Sequence, residues 1–288
     1  MTKSTFLLII TALVLTACHA KKPGVPNSSS DKNGSANGSR ANNPGWKMVW
    51  ADEFNHAGLP DTTKWNYDTK GNSYGWGNNE AQWYVVAKKE NTYVSKGTLK
   101  IIARNEPTSG KNYSSGRLTT KGKGDWKYGK VEVRAKLPSG NGTWPAIWML
   151  TSDNTYGGWP KSGEIDIMEH VGFDPDTVFS TVHTGKFNHM IGTQVGGKMG
   201  LPTATTEFHV YTMEWEENEI RSYVDGIHYF TFNDDKTGPE AWPFDQPFHL
   251  ILNLAIGGGL GGKHGIDNTK FPHTFEVDYV RVYHRSER

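Results

Sequence analysis

Three acidic residues within six positions of a strand-like segment constrain the fold of this chain most strongly. Glu164, Asp166 and Glu169 are separated only by apolar residues. Because residues two apart share one face of a β-strand, Glu164 and Asp166 point the same way and Glu169 points to the opposite face. A β-bulge at Ile167 or Met168 would turn Glu169 back, and bulges are common beside active sites. The pattern therefore predicts a bulged strand that carries all three acids on one face.

Carboxylates this close to one another favour acid–base chemistry. Ionised neighbours repel, which raises the pKa of at least one carboxyl. Cleavage of a glycosidic bond with retention needs one protonated and one charged carboxyl. With the bulge taking up one residue, about four steps of ~3.3 Å would leave the backbones of Glu164 and Glu169 roughly 13 Å apart. Their side chains must therefore lean together across a concave sheet to reach the ~5–5.5 Å separation of retaining enzymes.

The residues around the acid run distinguish a sugar-binding cleft from a solvent-exposed polar edge, which is the alternative interpretation. Flat apolar rings stack on the C–H faces of pyranoses, while polar ring atoms meet hydroxyl groups. Several such rings flank the acids in the sequence: Trp144, Trp148, Trp159, His170 and His183. These flanks favour a cleft that binds polysaccharide.

The segment from Trp144 to Gly172 resembles the active-site strand of glycoside hydrolase family 16. It is most similar to the laminarinase, or endo-β-1,3-glucanase, branch, whose acid motif is longer and bulged. Other segments match the family in the same order: Trp50–Phe54, Asn78–Tyr84, Tyr128–Lys136, Asn253–Gly258 and Val277–Tyr283. The resemblance spans about residues 45–286. It implies a jelly-roll β-sandwich with a concave substrate-binding face and retaining endo-hydrolysis of β-1,3-glucan, with mixed-linkage β-1,3-1,4-glucan as a weaker second substrate.

The same resemblance implies roles for individual residues. Glu164 would be the nucleophile, Glu169 the acid and base, and Asp166 a hydrogen-bonding neighbour that helps to set their protonation states. The implied substrate contacts are Asn79, Arg117, Trp144, Trp148, Trp159, His183 and Asn253. Some of these tryptophans could instead belong to the core, and His183 could be a hydrogen-bonded core histidine. No cofactor is implied for catalysis.

Asp278 raises the question of a structural cation, because it interrupts an apolar terminal strand and needs a partner there. A hard cation bound by oxygen atoms is one solution. Members of the family often carry a calcium ion away from the cleft, and the resemblance implies ligation by the Asp278 carboxylate and by backbone oxygens of Glu53 and Gly97. The alternative is a salt bridge from Asp278 to Arg281 or Lys100.

The N-terminal sequence predicts an export signal followed by a lipid anchor. A short basic region and an apolar run end at Ala17, and that run is too short to span a membrane. Cys18, the single cysteine, stands where a bacterial lipobox places the lipidated residue. We therefore expect a signal peptide over residues 1–17 and a polar tether over residues 18–44. The catalytic domain would follow over residues 45–288, and the alternative is ordinary cleavage after Ala20. The expected location is a bacterial membrane, either the outer membrane or the cell surface.

Length and composition favour one all-β domain. About 240 residues remain after the leader and tether, which suits a single β-sandwich. The net charge of +1 argues against nucleic acid as a partner, and we expect a monomer. Short strands alternate with turns and no long helical period appears, which predicts an antiparallel sandwich. Asp225-Gly226 lies between two such strands and is a strong hairpin signal.

Other functions remain open from the residues alone. Gly257–Gly262 fits a dinucleotide-binding G-x-G-x-x-G pattern, but the residues that follow do not resemble a helix, so we interpret it as a loop at the cleft rim. The acid motif does not separate β-glucan from another polysaccharide such as agar, nor hydrolysis from transglycosylation. A non-hydrolytic surface glycan-binding protein would be expected to lack one of the two glutamates.

Overall fold

The computed structural model describes residues 45–71 and 75–286. The described residues form eighteen β-strands. In chain order these are β1 (Trp46–Asp52), β2 (Asn66–Tyr67), β3 (Gln82–Tyr84), β4 (Thr92–Ser95), β5 (Thr98–Ala103), β6 (Tyr113–Ser115), β7 (Arg117–Thr119), β8 (Asp125–Trp126), β9 (Gly129–Lys136), β10 (Thr143–Thr151), β11 (Glu164–Val171), β12 (Asp174–His183), β13 (Val195–Gly200), β14 (His209–Trp215), β15 (Glu219–Val224), β16 (Ile227–Asn233), β17 (Phe248–Ile256) and β18 (His273–Arg285).

These strands form two large antiparallel sheets. The first follows the order β16-β15-β14-β9-β18-β5-β4, with β1 also paired to β18. The second follows the order β13-β12-β11-β10-β17-β7-β2, with β8 also paired to β17. Strands β3 and β6 form a short parallel pair. The predicted all-β antiparallel sandwich, or jelly roll, is therefore confirmed.

The hydrophobic core lies between the two sheets. Alternation along β10 illustrates how the sequence builds it, because Ile147 and Met149 are fully buried while Trp144 and Trp148 emerge on the opposite face. Strand β17 is buried on both faces along its whole length. The sandwich therefore keeps one apolar face inward and leaves the other face of the second sheet for a cleft.

Strands β5, β9 and β15 are among the short strands between turns that the sequence pattern predicts. The hairpin predicted at Asp225-Gly226 joins β15 to β16, and both residues have the positive φ that such a turn requires. The Gly257–Gly262 segment forms one helical turn, Gly258–Gly261, rather than the open loop that we expected. That turn is too short for the helix of a dinucleotide-binding loop, so the dinucleotide interpretation remains excluded.

The predicted signal peptide, the lipidated Cys18 and the tether lie outside the described residues. Within the described part of the chain, no helix is long and apolar enough to cross a membrane.

Gly172, directly after β11, provides a test of how tightly the acid-bearing strand is held. A methyl group added there would overlap the carbonyl oxygen of Gly140 and the hydroxyl of Thr143. Gly172→Ala should lower the free energy of unfolding by about 1–3 kcal/mol, which is the usual cost of overpacking. Gly200→Ala on β13 is the matched control, because its added methyl meets no atom within 4 Å. Equal denaturant midpoints for the two variants would contradict this packing.

Candidate active site

The acid-bearing strand β11 contains the bulge that the sequence predicts. Opposite it on β10, Ile147 pairs with Met168 and Trp148 pairs with Asp166, so Ile167 has no partner. The pairing of β11 with β12 shifts register over the same stretch. The prediction of an extra residue at Ile167 or Met168 is confirmed.

The bulge separates the side chains of β11 onto two faces. Ile165, Ile167 and Met168 are buried in the core between the sheets. The three acids instead line one cavity on the outer face of the second sheet, together with Trp76, Asn78, Glu80, Arg117, Trp144, Ala146, Trp148, Asn253 and Ala255. We call this the acid cavity. Because Ile167 and Met168 both face the core, Glu169 lies on the same side of the strand as Glu164 and Asp166.

Indole and imidazole nitrogens hold the three carboxyl groups in place. Trp159 Nε1 donates to Glu164 Oε2 at 2.7 Å, and Trp144 Nε1 donates to Glu169 Oε1 at 2.9 Å. His183 Nε2 lies 3.3 Å from the nearest oxygen of Asp166 and 3.9 Å from that of Glu164. Each glutamate therefore has its own tryptophan donor, and His183 stands beside the central aspartate.

Burial and mutual repulsion favour the protonated forms of these acids. Burial raises the pKa of Glu164 well above its ordinary value, and the negative charge of Asp166 adds to this effect. Burial also raises the pKa of Asp166, with repulsion from Glu169 as the second cause. Burial raises the pKa of Glu169, and the hydrogen bond from Trp144 lowers it by a smaller amount. The cluster is thus able to retain a proton where isolated carboxyls would lose theirs.

The same cluster also has the spacing of a metal site. Ligand atoms of Glu164, Asp166 and His183 lie within 4.8 Å of one another. This cluster is distinct from the predicted calcium site at Asp278. The raised carboxyl pKa values, together with Glu169 in the same cavity, suit proton transfer.

A second wall of the acid cavity is formed around Arg117 on β7. Its guanidinium lies 4.8 Å from the centroid of the Trp148 ring and 5.2 Å from that of Trp76. It also forms a 2.9 Å ion pair with Asp68. Trp148 Nε1 in turn donates to Asn253 Oδ1 at 2.6 Å. The predicted residues Arg117, Trp148 and Asn253 are thus brought together, opposite the acids.

Sequence reasoning missed a buried carboxyl in this wall. Glu80 is buried and accepts hydrogen bonds from Gln82 Nε2 at 2.6 Å and from the Tyr84 hydroxyl at 3.1 Å. Tyr84 accepts a hydrogen bond from Asn253 Nδ2 at 3.0 Å, which connects Glu80 to the cleft. Burial raises the pKa of Glu80. The sequence signal for this buried carboxyl was an acidic residue within the run of amide and aromatic residues Asn78–Tyr84.

Asn79 is not in the acid cavity. Its neighbour Asn78 lines that cavity, whereas Asn79 lines an adjoining one. Asn79 has a positive φ of 55°, which turns the chain between the two positions. That Asn79 contacts substrate therefore stays a prediction, and Asn78 is the asparagine that lies beside the acids.

Asp166→Asn should stabilise the protein at neutral pH. A carboxyl whose pKa is higher in the folded than in the unfolded protein stabilises the fold fully at a pH below its unfolded pKa of about 3.9. That stabilisation is lost as the pH rises through the higher pKa of the folded state. The amide has no charge to lose, so Asp166→Asn should have the higher Tm at pH 7, and the difference should shrink towards about pH 4. Thermal melts across this range measure the effect.

The exposed carboxyl of Glu207 offers a matched control for that series. Glu207→Gln should change the Tm little at any pH in the range, because its charge is not buried. A Tm difference for Asp166→Asn that grows at low pH would contradict the assignment of a buried, destabilising charge.

Comparison with known proteins places the chain among enzymes that act on β-glucans. The profile described as glycosyl hydrolases family 16 matches residues 79–281. A protein named beta-glucanase from Rhodothermus marinus is 57% identical over 247 residues, which is 83% of this chain and 86% of that protein. The crystal structure of the laminarinase from Rhodothermus marinus superimposes with a TM-score of 0.81 at 53% identity, covering 84% of this chain and 98% of that one.

A further solved structure, SCLam, is described as a non-specific endo-β-1,3(4)-glucanase. It superimposes with a TM-score of 0.80 at 49% identity and covers 84% of this chain and 92% of that one. The matching profile, these relatives and the bulged acid strand agree with one another, and the chain belongs to glycoside hydrolase family 16.

Proposed function

We propose that this protein is a retaining endo-hydrolase of β-1,3-glucan that also accepts mixed-linkage β-1,3-1,4-glucan. The observation that carries this proposal is the bulge at Ile167, which places Glu164, Asp166 and Glu169 in one cavity with an indole donor to each glutamate. The names of the relatives support the substrate class, since they are described as a beta-glucanase, a laminarinase and an endo-β-1,3(4)-glucanase.

The reaction proceeds in two displacements. In the first, the Glu164 carboxylate attacks the anomeric carbon, the bond from that carbon to the glycosidic oxygen breaks, and Glu169 gives its proton to the leaving oxygen. In the second, Glu169 takes a proton from water, the water oxygen bonds to the anomeric carbon, and Glu164 leaves. Net hydrolysis with retention follows, and Glu169 ends protonated as it began.

The surrounding residues set the charges that each displacement needs. The indole of Trp159 donates to Glu164 and so favours the ionised form that attacks. Asp166 lies between the glutamates, and its negative charge opposes ionisation of Glu164. A proton shared within the cluster lets one carboxyl be charged while its neighbour is neutral, which both displacements require.

Product analysis on laminarin, mixed-linkage glucan and agarose tests the proposal. Laminarin should be cleaved fastest, mixed-linkage glucan more slowly, and agarose not at all. Early digests should contain a spread of laminari-oligosaccharides, because internal cleavage is random along the chain. Glu164→Gln is the control, since it keeps the shape of the side chain and removes the nucleophile, so turnover should be abolished while the protein stays folded with a Tm at or above that of the wild type.

Three results would contradict the function. Glucose as the sole early product would mean action from chain ends, and faster release from agarose than from laminarin would change the substrate. Products longer than the substrate would indicate a transglycosylase.

We propose that the mature protein is an exported lipoprotein, held as a monomer on a bacterial membrane through Cys18. The support is the lipobox-like Leu15–Cys18 sequence after a short apolar run. Cys18→Ser should yield an unlipidated protein, because the acyl chains needed for stable anchoring would have no attachment site. Labelling with a radioactive fatty acid, which should mark the wild type and not the variant, provides the measurement. A soluble wild-type protein whose mature N-terminus is Lys21 would exclude the anchor.

We also propose a structural calcium ion at Asp278. The pairing of Val277 with Leu99 and of Val280 with Asp52 brings the chain near Gly97 and Glu53 to the bulge that contains Asp278. Carboxylate and backbone oxygens are the donors that a hard cation such as calcium prefers, which supports the proposal. The Asp278 carboxylate also accepts a 2.5 Å hydrogen bond from Arg134, so an ion there would share the carboxylate with the guanidinium.

The salt-bridge partners of Asp278 expected from sequence, Arg281 and Lys100, are wrong. Arg281 pairs with the Glu53 carboxylate through two hydrogen bonds of 2.7 and 2.8 Å. Lys100 lies 3.4 Å from Glu276. The bulge at Asp278 is the physical reason, because it changes which side chains face Asp278 across the sheet.

Calcium should raise the Tm of the wild type, since an ion that binds only the folded state stabilises it by mass action. Asp278→Ala should abolish that increment, whereas Arg134→Ala should retain it because the carboxylate remains. Identical melting curves of the wild type in calcium and in chelator would refute the site.

A further inference from the structure

A second cavity of about 530 Å³ adjoins the acid cavity and contains none of the catalytic carboxyls. Its lining includes Asn78, Asn79, Tyr113, Gly258, Gly259 and Asn268. We call it the side cavity. Asn78 lines both cavities, so the two adjoin at that residue.

The side cavity lies off the line of the acid cavity. The acid cavity extends across neighbouring strands, from Arg117 on β7 to Glu164 on β11. The side cavity instead lies beyond the end of β17, where Gly257 follows Ile256. A polysaccharide main chain that crosses the strands in the acid cavity would therefore pass beside the side cavity at Asn78.

The walls of the side cavity are held by the fold. Ala81 N donates to Ile256 O at 2.8 Å, and Gly257 N donates to Gly142 O at 2.8 Å. The hydroxyl of Tyr113 donates to Asn268 Oδ1 at 2.7 Å, which fixes the far wall. A preformed pocket loses less entropy when it binds a ligand.

The lining indicates a neutral, hydroxyl-rich ligand. Amide side chains and a tyrosine supply donors and acceptors, while glycines leave the space open. None of the described residues that line the cavity carries a charge, which disfavours a sulfated or uronic-acid group. The volume falls within the range of small-ligand pockets.

We propose that the side cavity binds a single neutral hexose carried as a branch on the β-glucan main chain. This inference rests on the proposed function, since it needs a main chain in the acid cavity. A branched glucan would be held at two places, with the main chain beside the carboxyls and the branch against Asn79 and Asn268. The enzyme would then prefer branched chains to linear ones of equal length.

Gly259 offers a way to fill the side cavity without disturbing the acids. It is exposed, and a methyl group added there meets only Asn78 O, at 3.9 Å. Gly259→Leu should reduce kcat/KM on a β-1,3-gluco-oligosaccharide with one β-1,6-linked glucosyl branch by about tenfold. Activity on the linear oligosaccharide should stay within about twofold of wild type. Gly200→Leu on β13 is the control for an exposed leucine and should leave both activities unchanged, because it lies outside both cavities.

Binding of the same two oligosaccharides in the Glu164→Gln background separates this inference from the proposed function. Calorimetry should show that Gly259→Leu weakens the branched ligand alone. An equal loss for both ligands would mean that the main chain occupies the side cavity, and an unchanged affinity for both would mean that nothing does; either result overturns the inference. Failure of the wild type to cleave the linear chain, with the difference in binding intact, would instead contradict the proposed function.

Discussion

One unpaired residue, Ile167, determines what the rest of this site can be. A regular strand would send Glu169 into the core and leave an apolar side chain in the cleft. With Ile167 unpaired, Ile165, Ile167 and Met168 all fill the core while the acids share one face. The apolar side chains stabilise the sandwich, and their packing fixes the direction of the carboxyls. Stability and chemistry are thus produced by the two faces of one strand.

The acids are held together against their own repulsion. Desolvation and like charge both oppose ionisation, and two indole donors with one imidazole supply only part of the compensation. The cluster is therefore a source of instability at neutral pH that the large core between the sheets must offset. Desolvation and like-charge repulsion also keep one carboxyl protonated while its neighbour is charged. The loss of stability and the acid–base chemistry therefore have the same cause.

Much of this arrangement could be predicted from the sequence because it depends on short-range periodicity. Alternation on β10 and β11 fixes which residues face the cleft, and a mismatch in that alternation reveals the bulge at Ile167. The polar loop before β3 has no such period. Whether Asn78 or Asn79 meets the acid cavity depends on the left-handed φ of Asn79, which the surrounding structure imposes. The buried position of Glu80 likewise depends on contacts with residues distant in sequence, including Lys111, which donates to its backbone oxygen at 2.9 Å.

The ion-pair partner of Asp278, which lies on the opposite sheet, likewise could not be predicted from the sequence. Its partner is decided by cross-strand register, and the bulge between Val277 and Tyr279 shifts that register by one residue. Arg134 on β9 then faces Asp278, although it lies far away in the sequence. The sequence pattern indicates that Asp278 needs a partner, but the pairing of the strands determines that this partner is Arg134.

Trapping of the covalent glycosyl-enzyme tests the central claim most directly. A 2-deoxy-2-fluoro laminari-oligosaccharide with a good leaving group should inactivate the protein, because the fluorine slows both displacements while the good leaving group speeds only the first, so the covalent intermediate accumulates. Peptide mapping by mass spectrometry should find the sugar on Glu164. Sugar attached to Glu169 or Asp166, or inversion at the anomeric carbon in the products of the natural substrate, would contradict the account.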